Sequence, residues 1–251
     1  MGAEHRAAPG KDERIVIRNV LFDYGRVLAR PCTGNWFLTP NTLRMGGFGL
    51  TLRFYLQSGK TKKLFREGEK FLLENHTLFT EEEEIEQFTG YYLRLLDGLG
   101  QRRNRERIAR DMAYDCVKND GKVIFYTDVT DGLTALKKNY YIGVVSDTWP
   151  SLRRLLDRAG VAPLLDGLVM SCEHGVTKNE GIKLFDIAAE TLVIDPAETL
   201  FVDDSPSILD NAVAAGYRPL LMDRNRTAEA GRYPIARSMD DVRDYLLTLQ
   251  G

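Results

Sequence analysis

Between Tyr141 and Met222 short runs of β-branched and aliphatic residues alternate with single amphipathic stretches, and this alternation is the strongest constraint on the fold. Tyr141 to Val145, Leu168 to Ser171, Thr199 to Val202 and Pro219 to Met222 read as buried strands: short, apolar and bounded by turn residues. Each gap holds one helix. Pro150 opens the first, Leu152, Leu155 and Leu156 line its inner face, and Gly160 ends it. Ile182, Phe185, Ala189 and Leu192 mark the second, and Pro206 to Ala215, stopped by Gly216, the third. Strands joined by single helices are joined by right-handed crossovers, so the sheet is parallel and covered on both faces. The expected core is a doubly wound α/β fold.

A further β-rich run, Ile15 to Phe22, belongs to the same sheet, but from Pro31 to about Lys118 the periodicity is helical. At about 150 residues per domain, 251 residues give roughly 1.7 domains, which suits one core carrying an insertion. The expected organisation is a loose tail over 1–14, an α/β core from 15–30 and 119–251 that resumes its sheet near Gly121, and a helical cap over 31–118. The acidic run Glu81 to Glu84 reads as a solvated helix start. Thr80 and Glu83 have capping-box spacing, and Ile85, Phe88, Tyr92, Leu95 and Leu99 follow at helical intervals.

Formal charge is −2, from 34 basic and 36 acidic residues, so no global positive field draws the chain to nucleic acid or an anionic membrane. The longest apolar runs, Val123 to Tyr126 and Ala212 to Ala215, fall far short of the roughly 18 residues a spanning helix needs. Cys32, Cys116 and Cys172 are widely spaced and form no CxxC, which argues against a disulfide framework or a zinc site. With no apolar stretch in the charged first residues, a cytoplasmic protein is expected, with neither nucleic acid nor membrane as partner.

Ligands of doubly wound sheets bind beyond the carboxyl ends of the strands. Those ends carry Asp23 after Val20-Leu21-Phe22, Ser146 after Val144-Val145, Lys178 in Gly175-Val176-Thr177-Lys178, and Asp203-Asp204 after Leu200-Phe201-Val202. Singly, each is an ordinary cap or loop residue. Together they suit phosphoryl transfer: carboxylates bind Mg²⁺, cation and lysine offset phosphate charge, a hydroxyl orients the phosphate, and an aspartate attacks it.

In this order the four motifs resemble those of the haloacid dehalogenase-like (HAD) hydrolases, in the subfamily with a helical cap inserted after the first motif. The matching residues are Phe22-Asp23-Tyr24-Gly25-Arg26-Val27-Leu28, Val144-Val145-Ser146-Asp147, Lys178 and Phe201-Val202-Asp203-Asp204-Ser205, and the resemblance runs from about Ile15 to the end. It implies a Rossmann-like sheet, Mg²⁺ as cofactor and a small phosphorylated metabolite as substrate. It also implies Asp23 as nucleophile and metal ligand, and Ser146 and Lys178 as phosphate binders. Asp203, Asp204 and the Gly25 carbonyl would be the remaining metal ligands. Asp147, Gly25 and Arg26 join the expected phosphate- and substrate-binding set.

Phosphatases of this family usually carry an acid/base aspartate two residues after the nucleophile, where this chain has Gly25. A glycine keeps the carbonyl but has no proton to give, so general acid catalysis, typically worth about 10²- to 10⁴-fold, is lost or supplied elsewhere. Three readings follow: a phosphatase for acyl, aryl or anomeric phosphates, whose leaving groups need little protonation; a C–P or C–halogen hydrolase; or a non-catalytic protein that binds a phosphometabolite or a partner. A phosphonatase would use a cap lysine, and Lys60, Lys62 and Lys63 lie in a polar stretch that reads as solvated. Asp147 reads first as cap of the following helix and second as a surrogate acid. Arg26 either meets a substrate anion or extends into solvent. His5, His76 and His174 read as surface or packing residues, with His174 nearest the site. The aromatic and basic start of the cap, Trp36, Phe37, Arg44, Phe48, Phe54 and Tyr55, reads as internal packing before substrate recognition.

Overall fold

The computed structural model describes residues 16–228 and 231–250, so the tail over 1–14, His5 and Ile15 lie outside the described residues. In chain order the strands are β1 (Asn19–Phe22), β2 (Ala29–Pro31), β3 (Val123–Phe125), β4 (Tyr141–Ser146), β5 (Gly167–Met170), β6 (Thr199–Asp203), β7 (Arg218–Met222) and β8 (Ile235–Ala236). The helices are α1 (Thr42–Leu56), α2 (Ser58–Glu74), α3 (Glu81–Gly98), α4 (Arg105–Lys118), α5 (Val129–Leu136), α6 (Leu152–Arg158), α7 (Ser171–His174), α8 (Lys183–Leu192), α9 (Pro206–Ala214) and α10 (Met239–Gln250).

The main sheet is six-stranded in the order β5-β4-β1-β6-β7-β8, and every pairing is parallel. Alternation along β1 sorts its side chains between two cores. Val20 and Phe22 join residues of α5, α6 and α10 on one face, while Leu21 joins residues of α8 and α9 on the other. This is the doubly wound architecture. The expected helix stops hold where the backbone demands them: Gly160 and Gly216 have φ of 68° and 95°, the left-handed conformation that glycine adopts without steric cost.

Several local expectations are corrected. The first strand begins at Asn19, and Ser171 opens α7 instead of closing β5. The chain does not rejoin the main sheet near Gly121. Val123–Phe125 instead pairs antiparallel with Ala29–Pro31 as a separate ribbon, and the sheet resumes only at Tyr141. β8, only two residues long, had no sequence signal to reveal it.

Helices α1–α4 occupy the interval between the strands of that ribbon and pack around their own core of Leu72, Phe88, Tyr91, Tyr92, Leu95 and Met112. At the start of α3, Thr80 and Glu83 close the expected capping box. The rest of the acidic run is not simply solvated, however. Glu81 pairs with Lys118 and Arg154, and Glu84 is 1% exposed, accepting from the backbone N–H and hydroxyl of Ser151 at 2.7 and 2.8 Å. Phe37 and Phe54 pack within the insertion as expected, Trp36 packs instead against the α/β core beside Tyr24, and Phe48 and Tyr55 are 83% and 74% exposed. The backbone of α1 is broken at Gly47, with φ of 70° and ψ of −179°, so no single apolar stripe runs its whole length.

Tight contact between α2 and α3 depends on Gly68, where an added methyl would fall inside the buried ring of Tyr91. Gly68→Ala should therefore destabilise the protein by about 1–3 kcal/mol although alanine is the better helix former. A urea titration checks this; a raised midpoint would show that the ring can yield.

Candidate functional site

The register of the sheet assembles the site. β1 lies between β4 and β6, with Phe22 opposite Val144 on one side and Val202 on the other, so the chain leaves the sheet at its switch point with Asp23. The Asp23 N–H donates to the Val202 carbonyl at 2.9 Å. Ser146 is the last residue of β4 and Asp203 the last of β6, and parallel pairing brings all three ends to one edge.

Lys178 completes the group from the loop after α7. Its N–H donates to Asp147 Oδ1 at 2.9 Å, and its carbonyl accepts from Asn211 Nδ2 at 2.8 Å. Held at both backbone ends, the buried side chain extends inward. Nζ donates to Asp23 Oδ1 at 2.7 Å and to Asp203 Oδ2 at 2.6 Å. Ser146 Oγ also donates to Asp23 Oδ1, at 2.9 Å, and the Ser205 N–H donates to Asp203 Oδ1 at 2.9 Å. Asp147 thus does not cap the following helix; it orients the lysine loop.

Acidic groups outnumber cations here, and burial sharpens the imbalance. Burial and the Asp23 charge push Asp203 up to about 7, against the pull of Lys178. Asp204 is raised chiefly by burial, with Asp23 adding to it and Arg26 opposing. Asp147 is raised by burial too, while Lys178 and its backbone N–H work the other way. The surrounding carboxylates, Asp203 first, raise Lys178 despite its burial, so its ammonium stays charged.

The loop after β1 is tight and partly strained. Arg26 has φ of 58°, a left-handed conformation uncommon for residues other than glycine, and its guanidinium lies 3.6 Å from Asp204. It therefore faces an acidic residue of the site itself. Arg224 secures the loop from below, donating to the Val27 carbonyl and pairing with Asp128 at 2.6 Å. Gly25 has no left-handed φ, and space is what restricts it. A Cβ there would lie 3.3 Å from Trp36 Cζ2 and 3.5 Å from Asp23 Oδ2. An indole therefore borders position 25 closely, and a side chain there would require it to give by a few tenths of an ångström.

Asp23, Gly25, Arg26, Ser146, Asp147, Lys178, Asp203 and Asp204 all line one cavity of about 300 Å³, whose remaining wall comes largely from the helical insertion and the loop after β4. Glu84, Phe88 and Lys122 line it as well, and none was singled out from sequence as a site residue. Their signal was hidden. Glu84 looked like one of four equivalent helix-start acids, and only its contact with Ser151, 67 positions away, distinguishes it. Lys60, Lys62, Lys63 and His174 are exposed and do not line the cavity. His76 is buried against Ser171, with Nε2 and Oγ 2.6 Å apart, and ties the insertion to the core.

Metal-binding capacity can be judged from the donors. Both hydrogen bonds to Asp23 use Oδ1, while Oδ2 faces the Gly25 side of the loop. With Asp203 and Asp204 this is a set of hard, partly uncompensated oxygens, the chemistry a small divalent cation requires. Among the described residues no three His, Cys, Asp or Glu side chains are gathered as a ready metal cluster. Lys178 Nζ already bridges Asp23 and Asp203. The donor set fits a hard cation held by Asp23 and Asp204, with Lys178 on the opposite side of Asp23.

Fold and site together define a Rossmann-like α/β protein with a carboxylate–lysine centre at its switch point. The chain belongs to the haloacid dehalogenase-like hydrolases: the sequence profile of that family matches residues 55–216, a span that contains Ser146, Lys178, Asp203 and Asp204 and begins after Asp23. No curated protein matches by sequence. Among solved structures, 2-haloacid dehalogenase from Pseudomonas syringae pv. Tomato DC3000 is 17% identical, with 94% of this chain and 100% of that one covered at a TM-score of 0.63. Magnesium-bound YfnB from Bacillus subtilis, assigned as a HAD-hydrolase, is 14% identical over 92% and 99% at 0.61. A HAD phosphatase from Thermococcus onnurineus is 20% identical over 92% and 98% at 0.55. At these identities the likeness is one of fold.

The raised Asp203 gives a pH prediction. Because it holds its proton to about 7 when folded and to its ordinary 3.8 when unfolded, the folded state binds more protons across that window. Its contribution to stability is present below about pH 4 and lost as pH rises toward 7, at no more than about 1.4 kcal/mol per pH unit. In EDTA, stability should therefore fall more steeply with rising pH in the wild type than in Asp203→Asn; parallel urea midpoints from pH 4 to 7 would contradict this.

Proposed function

We propose that this hydrolase is a Mg²⁺-dependent phosphatase of small phosphorylated metabolites, acting through an aspartyl-phosphate on Asp23. The observation that carries the reading is the convergence of Asp23, Ser146 and Lys178 at one strand edge beside the acidic pair Asp203-Asp204. Ser146 and Lys178 both donate to Asp23 Oδ1, so they point their protons and charge toward the place where a phosphate entering beside the nucleophile would sit. Asp23, Asp204 and the Gly25 carbonyl would hold Mg²⁺, with Asp203 beside them on Lys178, and the ion would offset charge on the transferring phosphoryl group. Asp23 attacks phosphorus, the ester oxygen departs, and water cleaves the acyl phosphate to restore the carboxylate. The helices over 31–118 act as a cap that closes the cavity, and Arg26 holds Asp204 in place. The protein works in the cytoplasm without nucleic acid or membrane.

A second reading, C–halogen hydrolysis, is favoured by the direct Lys178–Asp23 contact and by the absence of a ready metal cluster among the described residues. The two make different demands, because dehalogenation at Asp23 uses no metal. A panel of phosphate esters and 2-haloacids, with Mg²⁺ and with EDTA, separates them. Phosphate release that needs Mg²⁺ and falls at least about 10³-fold in Asp23→Asn is expected. Halide release in EDTA, or phosphatase activity that survives Asp23→Asn, would overturn the proposal.

A further inference from the structure

We propose that the cavity selects aryl phosphates, with the phosphate on the carboxylate–lysine centre and the ring among the aromatic side chains of the insertion. The inference rests on the phosphatase reading and narrows its substrate class. Two independent observations lead to it. The first is the room beside the nucleophile. A Cβ at Gly25 would lie 3.3 Å from the Trp36 indole, so an aromatic ring borders the point from which an acid/base side chain would start. Position 25 itself carries no carboxyl group. Asp147 is engaged by the Lys178 N–H, and Glu84 by both Ser151 donors. The Tyr24 hydroxyl, on the same lining, is buried without a hydrogen-bond partner among the described residues.

The second is the lining. Beyond the charged edge the cavity meets Trp36, Phe37, Phe88, Trp149 and Leu155, with Glu84, Lys122, Thr148, Ser151 and Asn179 as the polar part of its wall. Three of these rings pack edge-on, Phe37 and Phe88 lying 6.0 and 5.4 Å from Trp149, and Trp36 leans on Tyr24 at 5.8 Å. The aromatic part of the wall accepts a flat apolar body, and Glu84 is already engaged by Ser151. At about 300 Å³ the space is of the size that holds a single small ring with its phosphate.

Both observations favour the same leaving group. A phenol has a pKa of about 10, whereas an aliphatic alkoxide is comparable in basicity to hydroxide, whose conjugate acid has a pKa of about 15.7. When Asp23 Oδ2 attacks phosphorus, the P–O bond to the ring breaks and the aryloxide leaves with the electron pair, taking its proton from solvent afterwards. Water then attacks phosphorus, the P–Oδ2 bond breaks, and the product phosphate takes the proton that water loses. Neither step requires an acid at position 25.

The test measures kcat/KM, in Mg²⁺, for substituted phenyl phosphates of graded phenol pKa and for ethyl and glycerol phosphates, with acetyl phosphate as a reference. Phenyl esters should exceed alkyl esters by at least about 10²-fold, the contribution of the missing acid. Rates should fall steeply as phenol pKa rises. Trp36→Ala should raise KM for phenyl phosphate by roughly 2- to 13-fold, the worth of one aromatic contact, and more than for ethyl phosphate; Trp36→Phe should restore most of the loss. Gly25→Asp combined with Trp36→Ala should improve alkyl turnover relative to aryl. Equal turnover of alkyl and aryl esters would overturn the aryl assignment and leave the phosphatase reading standing. So would a Tyr24→Phe variant that selectively loses activity on poor leaving groups. No turnover of any ester or of acetyl phosphate would remove both.

Discussion

The Asp23–Lys178–Asp203 contact is the interaction on which the rest of the site depends. One buried ammonium lies between two buried carboxylates, 2.7 Å from one and 2.6 Å from the other. Removing one member of such a group strands the remaining charge, a loss of about 3–5 kcal/mol, while the group as a whole adds little net stability because desolvation offsets its attraction. Its value is positional. Three strand ends and a loop must be in register for the lysine to reach both acids, and the parallel pairing of β1 with β4 and β6 provides that register. The surplus of acid around Lys178 then leaves room for positive charge to enter from outside.

Much of this was legible in the sequence. Strands joined by single helices leave a parallel sheet as the economical solution, and a parallel sheet gathers the residues after its strands at one edge. Asp23, Ser146 and Asp203 could therefore be placed together before any coordinates. Lys178 lies in a loop, and its inward course depends on Asp147 and Asn211, which hold its backbone from two other segments. Glu84 and Trp36 were beyond such reading for the same reason. A carboxylate at the start of α3 is solvated by default until Ser151 covers it, and an indole in an aromatic stretch is packing until its neighbour turns out to be Gly25. The ribbon strands β2 and β3 and the edge strand β8 are too short for a periodic signal to develop.

The helical insertion is bound to the core by polar contacts as well as packing. Trp149, just beyond β4, belongs to both hydrophobic clusters and donates its indole N–H to Gln87 at 2.8 Å. Ser151 is held by Glu84, Ser171 by His76, and the Cys172 carbonyl accepts from the Leu78 N–H at 2.8 Å. These contacts converge on α6, α7 and the segment between β4 and α6, which adjoins Ser146 and Asp147. The insertion thus meets the core beside the carboxylate–lysine centre, where a change in its seating reaches Ser146 and Asp147 through one or two side chains.

The ribbon of β2 and β3 has an implication for how such a chain can change over generations. Ala29 pairs with Phe125 and Pro31 with Val123, so the polypeptide leaves the core and returns to it at neighbouring points, however long the excursion between them. Everything from Cys32 to Lys122 can in principle be exchanged as one genetic cassette without moving a strand of the main sheet. Asp23, Ser146, Lys178 and Asp203 would pass unchanged to the descendant, while Trp36, Glu84, Phe88 and Lys122 would all be replaced together. The edge that carries Asp23 and Lys178 can descend through one lineage of sequence, and the rest of the cavity wall through another.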